Sequence, residues 1–490
     1  MSETADKTVT VVGGGVAGMS AACALAEAGF AVRLLERRGY LGGRASSYRH
    51  PGVDEVIDNC QHVVFGCCTN VMDFYRRIGV AEKIQFTDAM TMIEPGGRRS
   101  MLGPSRWVGL TLPAPLHALP KLMAASAFTW ADKRSLARAF GAVARGDAND
   151  PHENLADWLK RQKQTGGAVE RFWRLVIASA LNAEIETISV PYAAMVIRGL
   201  FMDSVSGGAM GMSRVPLSEL YAGVGDFLKS RGGALVLNTT FEGGVQDEET
   251  SQWILRTRTG TAGAGAAGEG EIRSDFVVVA LPFEGMAKLL PGLPANVDAE
   301  ALAGKIETHE HWPLCSVHLW FDREITELDH AVLLDREIHW LYNQSKLQGR
   351  ATADGGYYIE LVISATRAFA ALTREAAIEQ AMRELAEFFP VVKEAKLIKA
   401  ALVKEVRATF GVPPGIDAAR PNAVSPWPHC FLAGDWTATG WPSTMESAAR
   451  SGHLAAEALC LTTGEARSFL EADLKPEGLM RLVGTVNSGQ

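Results

Sequence analysis

The sequence predicts an α/β fold in which a discontinuous nucleotide-binding domain carries an inserted second domain of helices and mixed sheet. Three observations predict it. The β-branched run Thr8 to Val12 passes directly into Gly13, Gly14 and Gly15, then into the Ala-rich stretch Met19 to Ala28 and a second apolar run, Ala31 to Leu35. A late run from Cys430 ends in Gly434-Asp435 and is followed by another Ala-rich stretch reaching Leu461. Between these ends the pattern changes twice, first to helix-forming sequence and then to strands.

The opening run reads as strand, helix, strand, the first βαβ unit of a doubly wound, Rossmann-like sheet. From about Thr87 to Gly211 the chain departs from it. Leu119 to Val205 is mostly helix-forming, with Trp130, Trp158, Phe172 and Trp173 along it and no clean alternation. Leu217 to Ser230 reads as a helix, and a strand starts at Ala234 after Gly232-Gly233. Trp253 to Thr259 and Glu271 to Ala280 read as a hairpin around the Gly/Ala tract Gly260 to Gly270, taken as a flexible loop. Phe276 to Leu281 is a continuous apolar run that stops at Pro282, as a buried strand would. Pro313 to Phe321, Ala331 to Leu334 and Gly356 to Ile363 read as strands of a second sheet, followed by a helix from Arg374 to Phe389. The nucleotide-binding domain is therefore assigned residues 1–88, 206–290 and 415–465, the substrate domain 89–205 and 291–414, and a C-terminal tail 466–490.

With 490 residues, 47% apolar and 21% charged, the chain can bury more than one core. Its formal charge is -8 and it has no basic run, so nucleic acid is not an expected partner. Seven cysteines, two of them adjacent at Cys67-Cys68, suit neither a disulfide framework nor a metal-ligand spacing, so reduced thiols in the cytoplasm and no metal are expected. The start, MSETADK, has no signal-peptide pattern. No apolar run reaches the roughly 18 residues that span a bilayer. The stretch from Trp107 to Trp130, broken by Pro113, Pro115 and Pro120, could instead lie on a membrane surface.

The glycines carry the first chemistry. Gly13-Gly14-Gly15-Val16-Ala17-Gly18 fits G-x-G-x-x-G: Gly13 turns the chain, Gly15 admits a pyrophosphate to backbone N–H groups, and Gly18 lets helix and strand pack closely. Glu36 ends the second strand, where a carboxylate binds ribose hydroxyls and repels a 2′-phosphate. Gly42-Gly43-Arg44 add close backbone approach and a cation for the diphosphate, and Arg37 is a further candidate cofactor-binding residue. At the other end Asp435 can accept from ribityl or ribose hydroxyls, while Ser443-Thr444-Met445-Glu446 reads as a capping box. Free N–H groups near Met445, at a helix's positive end, would stabilise the charge at N1/O2 of a reduced flavin. FAD is the cofactor that this order of elements predicts.

On these residues the chain resembles the amine oxidase and phytoene desaturase superfamily, whose fold is the discontinuous one described. Within it, the chain is similar to hydroxysqualene dehydroxylases, also called squalene-associated FAD-dependent desaturases. The similarity rests on Asp58-Asn59-Cys60-Gln61-His62, on Ser316 to Asp322 (SVHLWFD), and on Ala433 to Glu446 (AGDWTATGWPSTME). Cys60 and Ser447 stand where that family usually shows glycine.

The resemblance implies reductive removal of the hydroxyl of hydroxysqualene, giving squalene in hopanoid synthesis, with FADH2 as hydride donor. It implies a large apolar isoprenoid substrate, an electron donor that the sequence does not identify, and a cytoplasmic protein at the inner face of the membrane. The reaction requires a departing hydroxyl, a cation sheltered from water, and an acid. Asp58, Gln61 and His62 are placed by it near the flavin ring, with His62 or Asp58 as donor. Trp320, Trp340, Trp436 and Trp441 are candidate pocket aromatics. A phytoene-type desaturase, an amine oxidase (for which Lys305 is the only lysine to nominate) and a non-catalytic isoprenoid carrier are the alternatives.

Overall fold

The chain is described by a computed structural model over residues 7–107, 110–260, 268–349 and 356–483. Part of the Gly/Ala tract (261–267), residues 108–109 of the Pro-broken stretch and the last seven residues of the tail (484–490) lie outside the described residues.

A five-stranded parallel sheet forms the nucleotide-binding side, in the order Ala234–Val236, Ala31–Leu35, Thr8–Val12, Phe276–Val279, Cys430–Leu432. Strands from three distant parts of the chain thus meet side by side. The central strands read TVTVV and FVVV because both faces are covered, one by the helix Val16–Glu27 and the other by the three-stranded sheet Thr239–Gln246, Trp253–Thr259, Gly268–Ser274, so both sets of side chains are buried. The helix Val16–Glu27 lies between this sheet and the helix Met445–Thr462. At their contact a Cβ on Gly452 would stand 2.3 Å from the Ala17 carbonyl oxygen, so the two helices approach to backbone distance.

A seven-stranded mixed sheet forms the other side, in the order Leu397–Phe410, His311–Phe321, Tyr357–Ser364, Trp340–Asn343, His330–Leu333, Met90–Ile93, Arg99–Leu102. All its contacts are antiparallel except the parallel pair His330–Leu333 with Met90–Ile93.

Several expectations are corrected. The region after Thr87 opens with two strands of this sheet before its helices begin. The expected hairpin is divided at Asp275: Trp253–Thr259 pairs with Gly268–Ser274 in a three-stranded sheet, whereas Phe276–Val279 belongs to the parallel one. The Asp275 carboxylate accepts the Thr8 N–H and hydroxyl, both at 2.8 Å, and so fixes the change of sheet. The expected helix Leu217–Ser230 is two, Leu217–Leu220 and Gly223–Lys229. In the described part of the tail, Phe469 and Met480 are buried.

Candidate flavin and substrate cavity

A cavity of about 1940 Å³ lies between the two sheets. Pockets for drug-sized ligands run to about 1,000 Å³, so this one has room for a dinucleotide and a second large molecule. Gly13, Gly15, Val16, Ala17, Glu36, Arg37, Gly42, Gly43, Arg44, Gln61, His62, Gly434, Asp435, Thr444 and Met445 all line it. Gly18 and Asp58 do not.

Gly13 sits at φ +107°, and a Cβ there would meet the Ala280 carbonyl oxygen at 2.6 Å. Gly18 is buried under the turn, where a Cβ would stand 1.8 Å from the Gly13 carbonyl oxygen. A Cβ on Gly15 would find nothing nearer than the Gly43 Cα at 4.0 Å. Gly15 caps the helix Val16–Glu27 without any side chain closing its end, so the first N–H groups remain available to an anion. The second glycine pair is stitched to the first by the Gly42 N–H, which donates to the Gly14 carbonyl at 2.8 Å. Gly42 and Gly43 have φ +111° and +61°, in the left-handed region that favours glycine.

The Glu36 carboxylate accepts the Gly14 N–H and the Arg38 N–H, both at 2.8 Å. Each oxygen keeps lone-pair capacity for a ribose hydroxyl. Arg38, passed over in the sequence, also lines the cavity and donates to the Gly43 carbonyl at 3.1 Å.

At the far end Arg44 pairs with Asp435, whose second oxygen accepts the Ser443 hydroxyl at 2.5 Å. Burial alone would raise the Asp435 carboxyl, but the Arg44 charge and hydrogen bond hold it below its ordinary value. The buried Arg420 braces the same loop, donating to the Asp435 carbonyl at 2.8 Å. Ser447 donates to that carbonyl too, at 3.0 Å.

The capping box is corrected: Thr444, not Ser443, caps the last helix and accepts the Ser447 N–H at 3.1 Å. Glu446 turns away and is buried against another helix, Thr69–Arg77, accepting the Asn70 and Val71 N–H groups at 3.0 and 2.9 Å. Thr444 and Met445 therefore leave the positive end of the 18-residue helix Met445–Thr462 at the cavity wall.

The three candidate catalytic residues separate. Asp58 is buried off the wall: its Oδ1 accepts the Ser47 hydroxyl at 2.5 Å and the Leu217 N–H at 3.2 Å, and its Oδ2 accepts from Gln348 at 3.3 Å. It ties three segments together behind the site. Gln61 and His62 remain on the wall beside Cys60. His62 Nδ1 lies 2.7 Å from the Cys60 carbonyl, an acceptor, so the proton is assigned to Nδ1 and the Nε2 lone pair is left free. Burial lowers the His62 imidazole to about 4, and it is neutral at physiological pH. Burial likewise keeps the Cys60 thiol protonated, well above its ordinary value.

Of the aromatics, Trp340 and Trp441 line the cavity. Trp320 is buried elsewhere, stacked 4.5 Å from Tyr358, and Trp436 lies beneath the wall, its indole N–H bonded to the Leu281 carbonyl at 2.9 Å. Tyr342, missed in the sequence, stands beside Trp340 at 5.8 Å with the two rings stacked. Val176, Met195, Leu200, Met210, Leu314 and Val362 complete an apolar wall around them. Lys305 is exposed on the helix Val297–Glu307 and does not reach the cavity. Lys404 does line it, but its ammonium donates to the Leu372 carbonyl.

A glycine-rich cradle at one end, an acid for ribose, a helix N-terminus at the other end and an apolar chamber beyond form one continuous space. The flavin containing amine oxidoreductase family matches residues 16–460. The chain belongs to that family.

Residues from the front and the rear of its sequence line this one cavity. The chain is 26% identical to 15-cis-phytoene desaturase of Synechococcus elongatus over 92% of this chain and 95% of that protein. A probable zeta-carotene desaturase of the same organism is 24% identical over 92% and 98%. Among solved structures, an oxidoreductase from Methanosarcina mazei superposes with a TM-score of 0.67 at 14% identity, covering 91% of this chain and 98% of that one, which speaks to the fold alone.

The residues fit a flavin, which when bound supplies a centre that accepts or donates hydride. Glu36, Arg44, Asp435 and the two helix N-termini would hold and orient it. The apolar wall would exclude water, and Gln61 and His62 would present polar atoms to the same cavity.

Proposed function

We propose that this chain binds FAD and transfers hydride between it and a long isoprenoid hydrocarbon. The observation that carries the reading is the continuity of the dinucleotide grip with an apolar wall formed by Val176, Met195, Leu200, Met210, Leu314 and Val362. Lys305, the lysine nominated for an amine oxidase, is absent from that wall.

Two directions of transfer are compatible with this space. The Asp58–His62 and Ala433–Glu446 strings support reductive dehydroxylation of hydroxysqualene to squalene, with a separate electron donor recharging the flavin. The identity to phytoene and zeta-carotene desaturases supports the oxidative direction, insertion of a double bond. The acid chemistry weighs toward the second: Asp58 is off the wall, and His62 is neutral and so a poor donor to a leaving hydroxyl.

The deciding experiment incubates purified protein anaerobically, with reduced flavin and hydroxysqualene in one arm, and with oxidised flavin and phytoene in the other. Squalene in the first arm supports dehydroxylation, and a desaturated polyene in the second supports desaturation. Binding without product in either arm supports the carrier alternative and contradicts the catalytic proposal.

We also propose that the substrate is taken from a bilayer at the cytoplasmic face. Leu112, Leu116 and Leu119 are exposed, and so are Leu479 and Leu482 of the tail. The two groups are joined where the Leu479 N–H donates to the Ala114 carbonyl at 2.8 Å. Two residues earlier the Glu477 N–H bonds to the carbonyl of Asp203, a cavity-wall residue, so this apolar edge borders the cavity. Residues 106–131 contain no Asp or Glu. Among the described residues no helix is long and apolar enough to cross a membrane. The double variant Leu119→Glu/Leu482→Glu is expected to lower partitioning onto anionic vesicles by at least about tenfold, given roughly 1.5–3 kcal/mol per buried leucine. Unchanged co-sedimentation contradicts this proposal.

A further inference from the structure

Behind Gln61 lies a fully buried carboxyl. Glu360 sits in the strand Tyr357–Ser364, opposite His318 on one neighbouring strand and Tyr342 on the other. It is 0% exposed. Its Oε1 accepts the Gln61 N–H at 2.6 Å, and its Oε2 accepts the Gln344 amide at 2.6 Å. The same Gln344 amide nitrogen donates to the Gln61 side-chain oxygen at 2.7 Å. Main chain and side chain of Gln61 are therefore both held from one buried carboxyl, directly and through one amide. The Gln61 amide in turn donates to the His62 carbonyl at 3.2 Å.

We propose that Glu360 is the positioning residue of the cavity wall, setting where Gln61 and His62 stand and coupling that placement to its own proton. The inference rests on the reading that this cavity holds the flavin.

The surroundings allow such coupling. Asp58 and the Cys60 thiol approach from the Asp58–His62 segment, Tyr342 from the strand Trp340–Asn343, and neutral His318 from the strand His311–Phe321. Among the described residues no Lys or Arg is paired with Glu360. Burial first, and the Asp58 charge second, raise its carboxyl to about 8, while the Gln344 and Gln61 bonds work in the other direction. Losing the proton makes both acceptor oxygens stronger and places a charge beside Asp58. Gaining it turns one oxygen into a donor, which the amide hydrogens of Gln61 and Gln344 cannot accept. The two protonation states thus favour different arrangements of the same three groups.

Two measurements test this, the first on the flavin-loaded protein. The visible flavin spectrum, followed against pH, is expected to change in one transition centred near 8 and to lose it in Glu360→Gln, which keeps the volume and cannot ionise. Infrared difference spectra of the unsubstituted protein are expected to show a buried protonated carboxyl disappearing over the same pH range, which needs neither a variant nor the flavin. A pH-invariant spectrum, a transition that survives in Glu360→Gln, or no buried carboxyl by infrared overturns the proposal. A colourless protein that still shows the carboxyl signal overturns the flavin reading instead, so the two failures are distinguishable.

Discussion

Gly18→Ala is expected to cost the protein its fold, whereas Gly15→Ala, three residues away, leaves the fold intact and loses the cofactor. The added carbon at Gly18 would lie 1.8 Å from the Gly13 carbonyl oxygen and 3.2 Å from the Ala280 Cβ. The nearest atom is backbone, in the turn that joins the first strand to the first helix, so no side chain can swing aside. Relief requires the helix Val16–Glu27 to move away from the sheet, and that helix is packed on its other side against Met445–Thr462. Overpacking of a well-filled core costs about 1–3 kcal/mol and more where backbone must shift. The expected result is insoluble protein or a melting temperature lowered by roughly 5 °C or more.

At Gly15 the added carbon meets only the Gly43 Cα, at an unstrained 4.0 Å, and opens onto the cavity. It occupies the place where a diphosphate must approach the N–H groups. Loss of one charge-assisted hydrogen bond of about 1.5–3 kcal/mol corresponds to at least a tenfold drop in FAD affinity. Apoprotein melting is expected to be unchanged. Equal loss of stability in both variants, measured by thermal denaturation with and without FAD, contradicts this division of labour.

The second large effect is expected at Asp435. Asp435→Ala strands the Arg44 guanidinium and removes the acceptor of the Ser443 hydroxyl. Breaking a fully buried pair costs about 3–5 kcal/mol, but Arg44 is 32% exposed, so solvent screening brings the expectation down to about 1–3 kcal/mol. Flavin content is expected to fall in parallel, because the same carboxylate lines the cavity.

The pH dependence follows from the direction of the shift. The Asp435 carboxyl lies below its ordinary 3.8 in the folded protein, so its contribution is fully present above that value and is lost as pH falls through the lower one. Acid is therefore expected to destabilise the protein and release flavin, and Asp435→Asn is expected to remove that part of the acid dependence while being less stable at neutral pH. Identical acid profiles for the two proteins, followed by melting temperature and by released flavin fluorescence, contradict the assignment.

How much of this was legible in the sequence depends on how local each signal is. The first βαβ unit reads correctly from Thr8 to Leu35 because strand, glycine turn and helix are contiguous and the first strand is buried on both faces. The strand Leu397–Phe410 is not legible in the sequence. Its sequence, LIKAALVKEVRATF, is rich in helix formers, and it is held extended by pairing with His311–Phe321, with irregularities in register near Trp312 and Phe321. Met90–Ile93 and Arg99–Leu102 were hidden by their shortness.

The same holds for the site. Glycine motifs and Glu36 are visible because their roles are set by backbone within a few dozen residues. Asp58 and His62 could be singled out, but burial and hydrogen-bond partners decide what they do, and those come from Ser47, Leu217 and the Cys60 carbonyl. Glu360 had no signal at all: a single Glu in the apolar run YYIELVIS, nearly 300 residues from Gln61, gains meaning only when the sheet brings them together. Glu446 shows the reverse, a recognisable capping pattern whose carboxylate is used by another helix.

The central claim is that the front and rear of the chain close on one FAD. The direct measurement is the visible absorption of the purified protein, with the cofactor identified and counted after denaturation. One FAD for each chain is the predicted result; a colourless protein that takes up no FAD on reconstitution would contradict it.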